Sequence, residues 1–372
     1  MRKKLLKYHS YLALVALLPI IIISITGSIL VFKTEIDQWL MPQVASLSYS
    51  PQQSSTLERA GHNNLQDHIE NSFPGFIIGS WEIFNDGIEA DRVFLVKKGS
   101  HDWYKVHLDP FSGEILDQPA VMESQLTDWL VSLHYTFLLN GIGHEDSQWG
   151  TFIGLVVALI FTFLGISGLI IHRKFWQQLF LLRRGRSIRV FSGDLHRLIG
   201  TWSSPVLLIL GITGIYFNTI AYYHEVFEHG DEPHFEPQEK LYGNNVDFQQ
   251  ILFDSQQQLD QFTPTYLLYP FEPEVNITVF GFQPSNNPFA SNYSSTVTYK
   301  AENGDLVLAF DGRKASVTTQ VFDSFRELHF GSFAGLGSKI AWSFFGLAPF
   351  LLALSGFIVW LKRRRKPARA KA

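Results

Sequence analysis

The stretch WGTFIGLVVALIFTFLGISGLIIHRKFWQQLFLLRRGRSIRV, Trp149 to Val190, decides the fold. Trp149 to Ile171 holds no charged residue. At about 1.5 Å per helical residue it is long enough to cross a hydrocarbon core roughly 30 Å thick. It ends on His172 and passes into a loop with six Lys or Arg before the next histidine, His196. An apolar span, a histidine at its edge and a basic loop form the pattern that the rest of the chain repeats or completes.

Working outward, apolar segments of span length recur at about 11–33, 198–220 and 339–361, which predicts four transmembrane helices. The formal charge of −4 over 372 residues hides a strong segregation. Of 30 Lys and Arg, 18 lie on residues 2–7, 173–197 and 362–371, and these hold one acid, Asp194. The positive-inside rule therefore places the N-terminus (1–10), the loop 172–197 and the tail 362–372 in the cytoplasm. The first segment is long and lacks a small-residue cleavage site, so it reads as a retained span rather than a signal peptide.

Two acidic outer regions remain. Residues 34–122 contain a Ser/Gln-rich linker over 43–60, an amphipathic helix and alternating strands such as WYKVHLDPFSGEIL, a small α+β unit. Residues 123–148 carry a helix that places His134 beside its apolar stripe. A second strand-rich outer domain, 221–320, leads into another histidine helix at 321–338, with His329. The basic stretches are topogenic, and nothing suggests a nucleic-acid partner.

The absence of cysteine excludes disulfides, thiolate metal sites, Cys-ligated iron–sulfur clusters and thioether-linked haem. Phosphate-binding glycine loops, Ser/His/Asp arrangements and His-Glu-x-x-His are absent as well. Histidine is the remaining ligand for a redox cofactor. Four histidines recur at matched places. His9 precedes Thr26-Gly27 by the same interval as His196 precedes Thr213-Gly214, SLHYTF around His134 matches ELHFGSF around His329, and ISGLIIHRK matches LSGFIVWLKRR. The halves read as two parallel copies about an axis along the membrane normal. That symmetry pairs His9 with His196 on the cytoplasmic side and His134 with His329 on the outer side. Paired imidazoles across a helix bundle suit the two axial positions of a b-type haem, so two haems are expected. His172, whose counterpart is Trp360, could replace His9 or His196 or bond a haem propionate; two of these three hold the inner haem.

Taken singly, a histidine at a membrane edge is usually an interfacial polar residue; four in symmetric places favour ligation. Thr-Gly and Ser-Gly within the spans suit close helix contact or room for a porphyrin, and do not discriminate. His224, His229 and His234, among Glu225, Glu228, Asp231 and Glu232, could bind metal, but an acidic solvated loop is the preferred reading. His62, His68, His101 and His107 read as surface residues.

These residues resemble the PepSY-associated transmembrane proteins of bacterial inner membranes. TGSILVFKTEIDQW, LHYTFLL, the stretch from SGLIIHRK to GITGIYF, and LHFGSF with a terminal Trp-Leu-Lys-Arg-Arg look like that family's pattern, and WYKVHLDPFSGEIL is similar to the PepSY signature. Phe137 stands where some relatives carry a second histidine. The resemblance implies a multi-pass inner-membrane protein with two PepSY-like outer domains, and a di-haem ferrisiderophore reductase taking iron from a ferric siderophore. No flavin or nicotinamide fingerprint is present, so a quinol or a separate cytoplasmic reductase is the expected donor, with Lys174 to Arg189 a plausible docking surface. Two other functions compete: a non-enzymatic PepSY-type sensor or protease regulator, and a siderophore or iron permease. The spans offer a permease no ion-coupling Asp, Glu, Lys or Arg.

Overall fold

The computed structural model describes residues 2–47, 49, 58–144, 146–173, 175–230 and 234–364. The chain divides into a helical unit, Met1–Phe32, Trp129–Asp231 and Leu328–Ala372, and a sheet unit, Lys33–Asp128 and Glu232–Glu327.

Three helices of the helical unit are long and apolar enough to cross a membrane: Trp149–Ile171, Ile188–Glu228 and Gly335–Arg363. Arg2–Val15 and Leu17–Leu30 make a fourth only if counted as one span, because they meet at a 66° bend. One span was expected over 11–33, with Pro19 inside it. Pro19 accounts for the difference: it has no N–H for the carbonyl of Val15, and its ring crowds that turn. The helix resumes with the Ile20 N–H donating to Ala16 O at 2.9 Å.

The helix expected over 198–220 begins ten residues earlier, at Ile188. Asp194 makes this possible, since its buried carboxylate accepts from the Arg183 Nε and Nη2, both at 2.9 Å, and pairs with Arg197. The lone acid of the basic loop thus neutralises two of its cations. Pro205 lies inside the same helix, where the carbonyl it would leave unpaired, Thr201 O, accepts instead from Ser204 Oγ at 2.9 Å.

Ile188–Tyr223 packs along both Trp149–Ile171 and Ala348–Arg364; Arg2–Val15 lies on Trp149–Ile171, and Leu17–Leu30 on Gly335–Gly346 and Ala348–Arg364. Small polar residues stitch the last contact. Ser24 Oγ donates to Gly346 O at 2.6 Å, and Ser343 Oγ to Ser28 O at 2.9 Å. In an apolar surround such bonds satisfy groups that lipid could not.

The two outer domains expected as separate bodies form one sheet unit. Its eight antiparallel strands are β1 (Phe76–Glu82), β2 (Asp91–Lys97), β3 (Trp103–Leu108), β4 (Ala120–Val121), β5 (Thr263–Leu268), β6 (Ile277–Phe282), β7 (Ser295–Tyr299) and β8 (Leu306–Phe310). They are ordered β4-β3-β2-β1-β5-β6-β7-β8. The join is β1 on β5, with Ser80 opposite Leu268 and Glu82 opposite Tyr266. Strands therefore run outward from the join in the same succession on either side. Helices His62–Ser72 and Phe248–Gln258 feed a single core, in which Ile69, Trp81, Val93 and Val106 pack with Phe248, Leu267, Ile277 and Val297. Neither half alone holds that whole core, which explains why they merge.

Candidate functional site

The site lies within the helical unit, and its parts are four histidines from four helices. His9 comes from Arg2–Val15 and His196 from Ile188–Tyr223. Their ring centres are 6.4 Å apart, with planes at 86°. His134 comes from Leu126–Thr136 and His329 from Val317–Phe330. Their ring centres are 6.3 Å apart, with planes at 64°. Helix Leu126–Thr136 stops just after His134, where Phe137 and Leu138 turn to positive φ of 53° and 59°. Phe217 stands edge-on to His329 at 5.4 Å.

Each ring leans on a hydroxyl residue of another helix through Nδ1. The distances are 2.8 Å to Ser167 for His9, 3.1 Å to Ser355 for His196, 3.0 Å to Thr26 for His134 and 2.7 Å to Thr213 for His329. A glycine follows every one of these hydroxyls and lies under the ring's Cε1. A Cβ on Gly27 would come 2.8 Å from His134 Cε1, and one on Gly356 3.3 Å from His196 Cε1. On Gly168 or Gly214 it would meet its histidine at 3.7 or 4.0 Å, an ordinary contact. The Thr-Gly and Ser-Gly dipeptides, which by sequence suited either close helix contact or room for a porphyrin, are thus where the histidines sit. The sequence signal for the Thr-Gly pair was its shared interval from His9 and His196, but those are not the histidines it seats.

His172 belongs to neither pair. It follows helix Trp149–Ile171, its N–H donating to Gly168 O at 3.0 Å, while His9 and His196 stand together. The other histidines scatter. The exposed His224 lies 3.9 Å from the carboxylates of Glu225 and Glu228, and the His234 ring lies 5.0 Å from that of His101. Asp231, Glu232 and the His229 side chain fall outside the described residues, as do Lys174 and residues 365–372. Two histidines expected at the surface are buried. His62 bonds the Tyr269 hydroxyl at 2.8 Å through Nε2, and His107 bonds Asp117 at 2.7 Å through Nδ1.

The pairs fit a haem iron on two counts. An imidazole nitrogen bonds a transition metal at about 2 Å and lies about 1 Å from its ring centre, so two such ligands of one metal have ring centres about 6 Å apart. Both pairs have that spacing. Moreover, no group of three or more His, Cys, Asp or Glu able to hold a metal occurs among the described residues. Two imidazoles are too few for a bare ion, which asks for three or four protein ligands, but suffice where a macrocycle supplies the rest.

Comparison with known proteins agrees with the helical architecture. The profile of the family described as PepSY-associated TM region matches residues 6–363. An uncharacterized protein of Pseudomonas aeruginosa, PA4219, is 26% identical over 223 residues, covering 54% of this chain and 56% of that protein. The chain thus spans little more than half the length of that relative.

Proposed function

The chain belongs to the PepSY-associated transmembrane family, and from that premise we propose that it is a two-haem b-type cytochrome of the bacterial inner membrane that reduces ferric siderophore on the periplasmic face. The observation that supports this is the recurrence of one arrangement twice, paired imidazoles 6.4 and 6.3 Å apart between ring centres. A sensor or a permease gives those pairs no work.

In this reading His9 and His196 hold the inner haem, and His134 and His329 the outer one. Haem iron, when bound, supplies one-electron transfer between its ferric and ferrous states. The rest of the work falls to the chain. The four helices set the ligand spacing, and the hydroxyl-glycine seats orient the rings. The basic segments hold both termini and the loop on the cytoplasmic side, where a reductase could dock; a quinol in the bilayer is the other donor. One electron per iron converts Fe(III) to Fe(II), for which hard oxygen chelators have far less affinity, and the metal is released. Outside the three basic segments the chain carries 33 acids against 12 Lys and Arg. That charge disfavours strongly anionic chelates, so the substrate is a neutral or cationic ferric complex.

The test is a reduced-minus-oxidised spectrum with a haem count on the detergent-purified chain, followed by single-turnover oxidation of the reduced protein by a neutral ferric chelate. About two b-type haems per chain, reoxidised by the chelate with Fe(II) appearing, is the expected result. A well-folded preparation without haem would sink the reading and favour the sensor.

A further inference from the structure

The seats of the four histidines specify more than position. Each seat hydroxyl already donates its single proton to a backbone carbonyl of its own helix: Thr26 to Ile22 O at 2.7 Å, Thr213 to Ile209 O at 2.8 Å, Ser355 to Leu351 O at 2.7 Å and Ser167 to Leu164 O at 3.3 Å. A hydroxyl whose proton is committed can only accept. At Thr26, Thr213 and Ser355, whose carbonyl bonds are short, the bond to the histidine therefore runs from Nδ1–H to oxygen, and the matching Ser167 seat is assigned the same direction. A neutral imidazole with its proton on Nδ1 has its lone pair on Nε2, so every one of the four rings is set to ligate through the same atom.

We propose that Ser167, Ser355, Thr26 and Thr213 are positioning residues that lock the four histidines as Nε2 ligands and, by drawing on Nδ1–H, strengthen them as donors and lower the reduction potential of the bound iron. This rests on the two-haem reading. It follows the rule that the partner of a ligand's second ring nitrogen fixes its tautomer and raises its basicity. The four seats are not equal. His329 has Thr213 at 2.7 Å as its acceptor, whereas His196 has both Ser355 Oγ and the carbonyl of Leu352 at 3.1 Å. Losing Thr213 leaves the His329 Nδ1–H without that acceptor; losing Ser355 leaves the Leu352 carbonyl in place.

The experiment is a spectroelectrochemical titration of the full chain in detergent, comparing the parent with Thr213→Val, Thr213→Ser and Ser355→Ala. Valine keeps the branched shape of threonine in a helix and removes the acceptor. Expected is a positive shift of one of the two haem transitions in Thr213→Val, its reversal in Thr213→Ser, and a much smaller shift in Ser355→Ala. Loss of a single haem in Thr213→Val, restored in Thr213→Ser, supports the same role. Should Thr213→Val fail to fold, Thr213→Ala removes the same acceptor from His329 and puts the same question. Transitions in the valine variant that superimpose on the parent's would overturn the proposal while leaving the two-haem reading intact. A parent without haem would instead end that reading, and this one with it.

Discussion

The sheet unit buries His62 and the helical unit half-buries its four paired histidines, and these rings use their nitrogens differently. In the sheet unit His62 commits Nε2 to Tyr269 and stands 4.7 Å from Trp81, with Nδ1 buried and unpartnered. In the helical unit the four paired histidines commit Nδ1 to a hydroxyl and face one another two by two. Burial alone therefore says little about a histidine. What stands opposite the ring separates a core residue from a candidate ligand; the nitrogen consumed does not by itself, because the buried His107 of the sheet unit also bonds through Nδ1, to the Asp117 carboxylate.

The strongest way to break that contrast is to delete histidines in each unit. His134→Ala or His329→Ala should lose one of two haems, and His9→Ala or His196→Ala the other, whereas His62→Ala and His172→Ala should keep both, read by haem count per chain. Retention of two haems in His329→Ala would remove the distinction.

Next in size is the anchor of the sheet core. The fully buried Asp91 carboxylate accepts from Trp81 Nε1 at 2.5 Å, from the Phe84 N–H at 3.0 Å and from Arg59. Asp91→Ala strands the guanidinium and should cost about 3–5 kcal/mol. Chemical unfolding followed by tryptophan emission should show this loss with the haem spectrum of the helical unit unchanged. A parallel collapse of both signals would mean that the units do not unfold separately.

Smaller effects should sort the seats. Gly27→Ala forces His134 aside and should cost about 1–3 kcal/mol, with weakened retention of the outer haem, whereas Gly214→Ala meets His329 only at ordinary contact distance. Equal haem retention in the two variants would show that the tight approach at Gly27 is not functional.

The smallest effect is a pH slope in the sheet unit. Burial, helped by the nearby Arg59 cation, pushes His62 down from 6.5 to about 3. Its folded pKa is depressed, so the unfolded chain binds the extra proton between those values. The stability is fully present above pH 6.5 and is lost progressively as pH falls toward 3. Between pH 7 and 6 the loss is somewhat under about 1 kcal/mol, and His62→Gln should flatten it. An unchanged slope in that variant would assign the acid sensitivity elsewhere.

Much of this was legible because membrane insertion writes itself into one dimension. Trp149–Ile171 was delimited by its lack of charge alone, and the segregation of Lys and Arg set the order of spans and loops. The pairing of His9 with His196 and of His134 with His329 could be anticipated because a repeat keeps equivalent residues at similar offsets, 187 and 195 positions here. Other features depend on contacts between distant residues. His9, His172 and His196 are equally near the cytoplasmic edge by sequence, and only helix packing determines which two rings meet. His62 looked like a surface residue because nothing local announces Tyr269, 207 positions away. The join of β1 to β5 is likewise non-local, and so two domains were expected where one sheet exists.

The sequence by itself determined the membrane class, the cysteine-free chemistry, three of the four expected spans and the four histidines of interest, because hydropathy, charge and repetition are properties of position along a chain. The tertiary structure alone decided that His172 stands apart, that residues 34–122 and 221–320 contribute to one core, and that a hydroxyl-glycine seat lies beneath each paired ring. Those are facts of distance between helices and strands, and a hydrogen bond from Nδ1 to an oxygen more than a hundred residues away leaves no local trace.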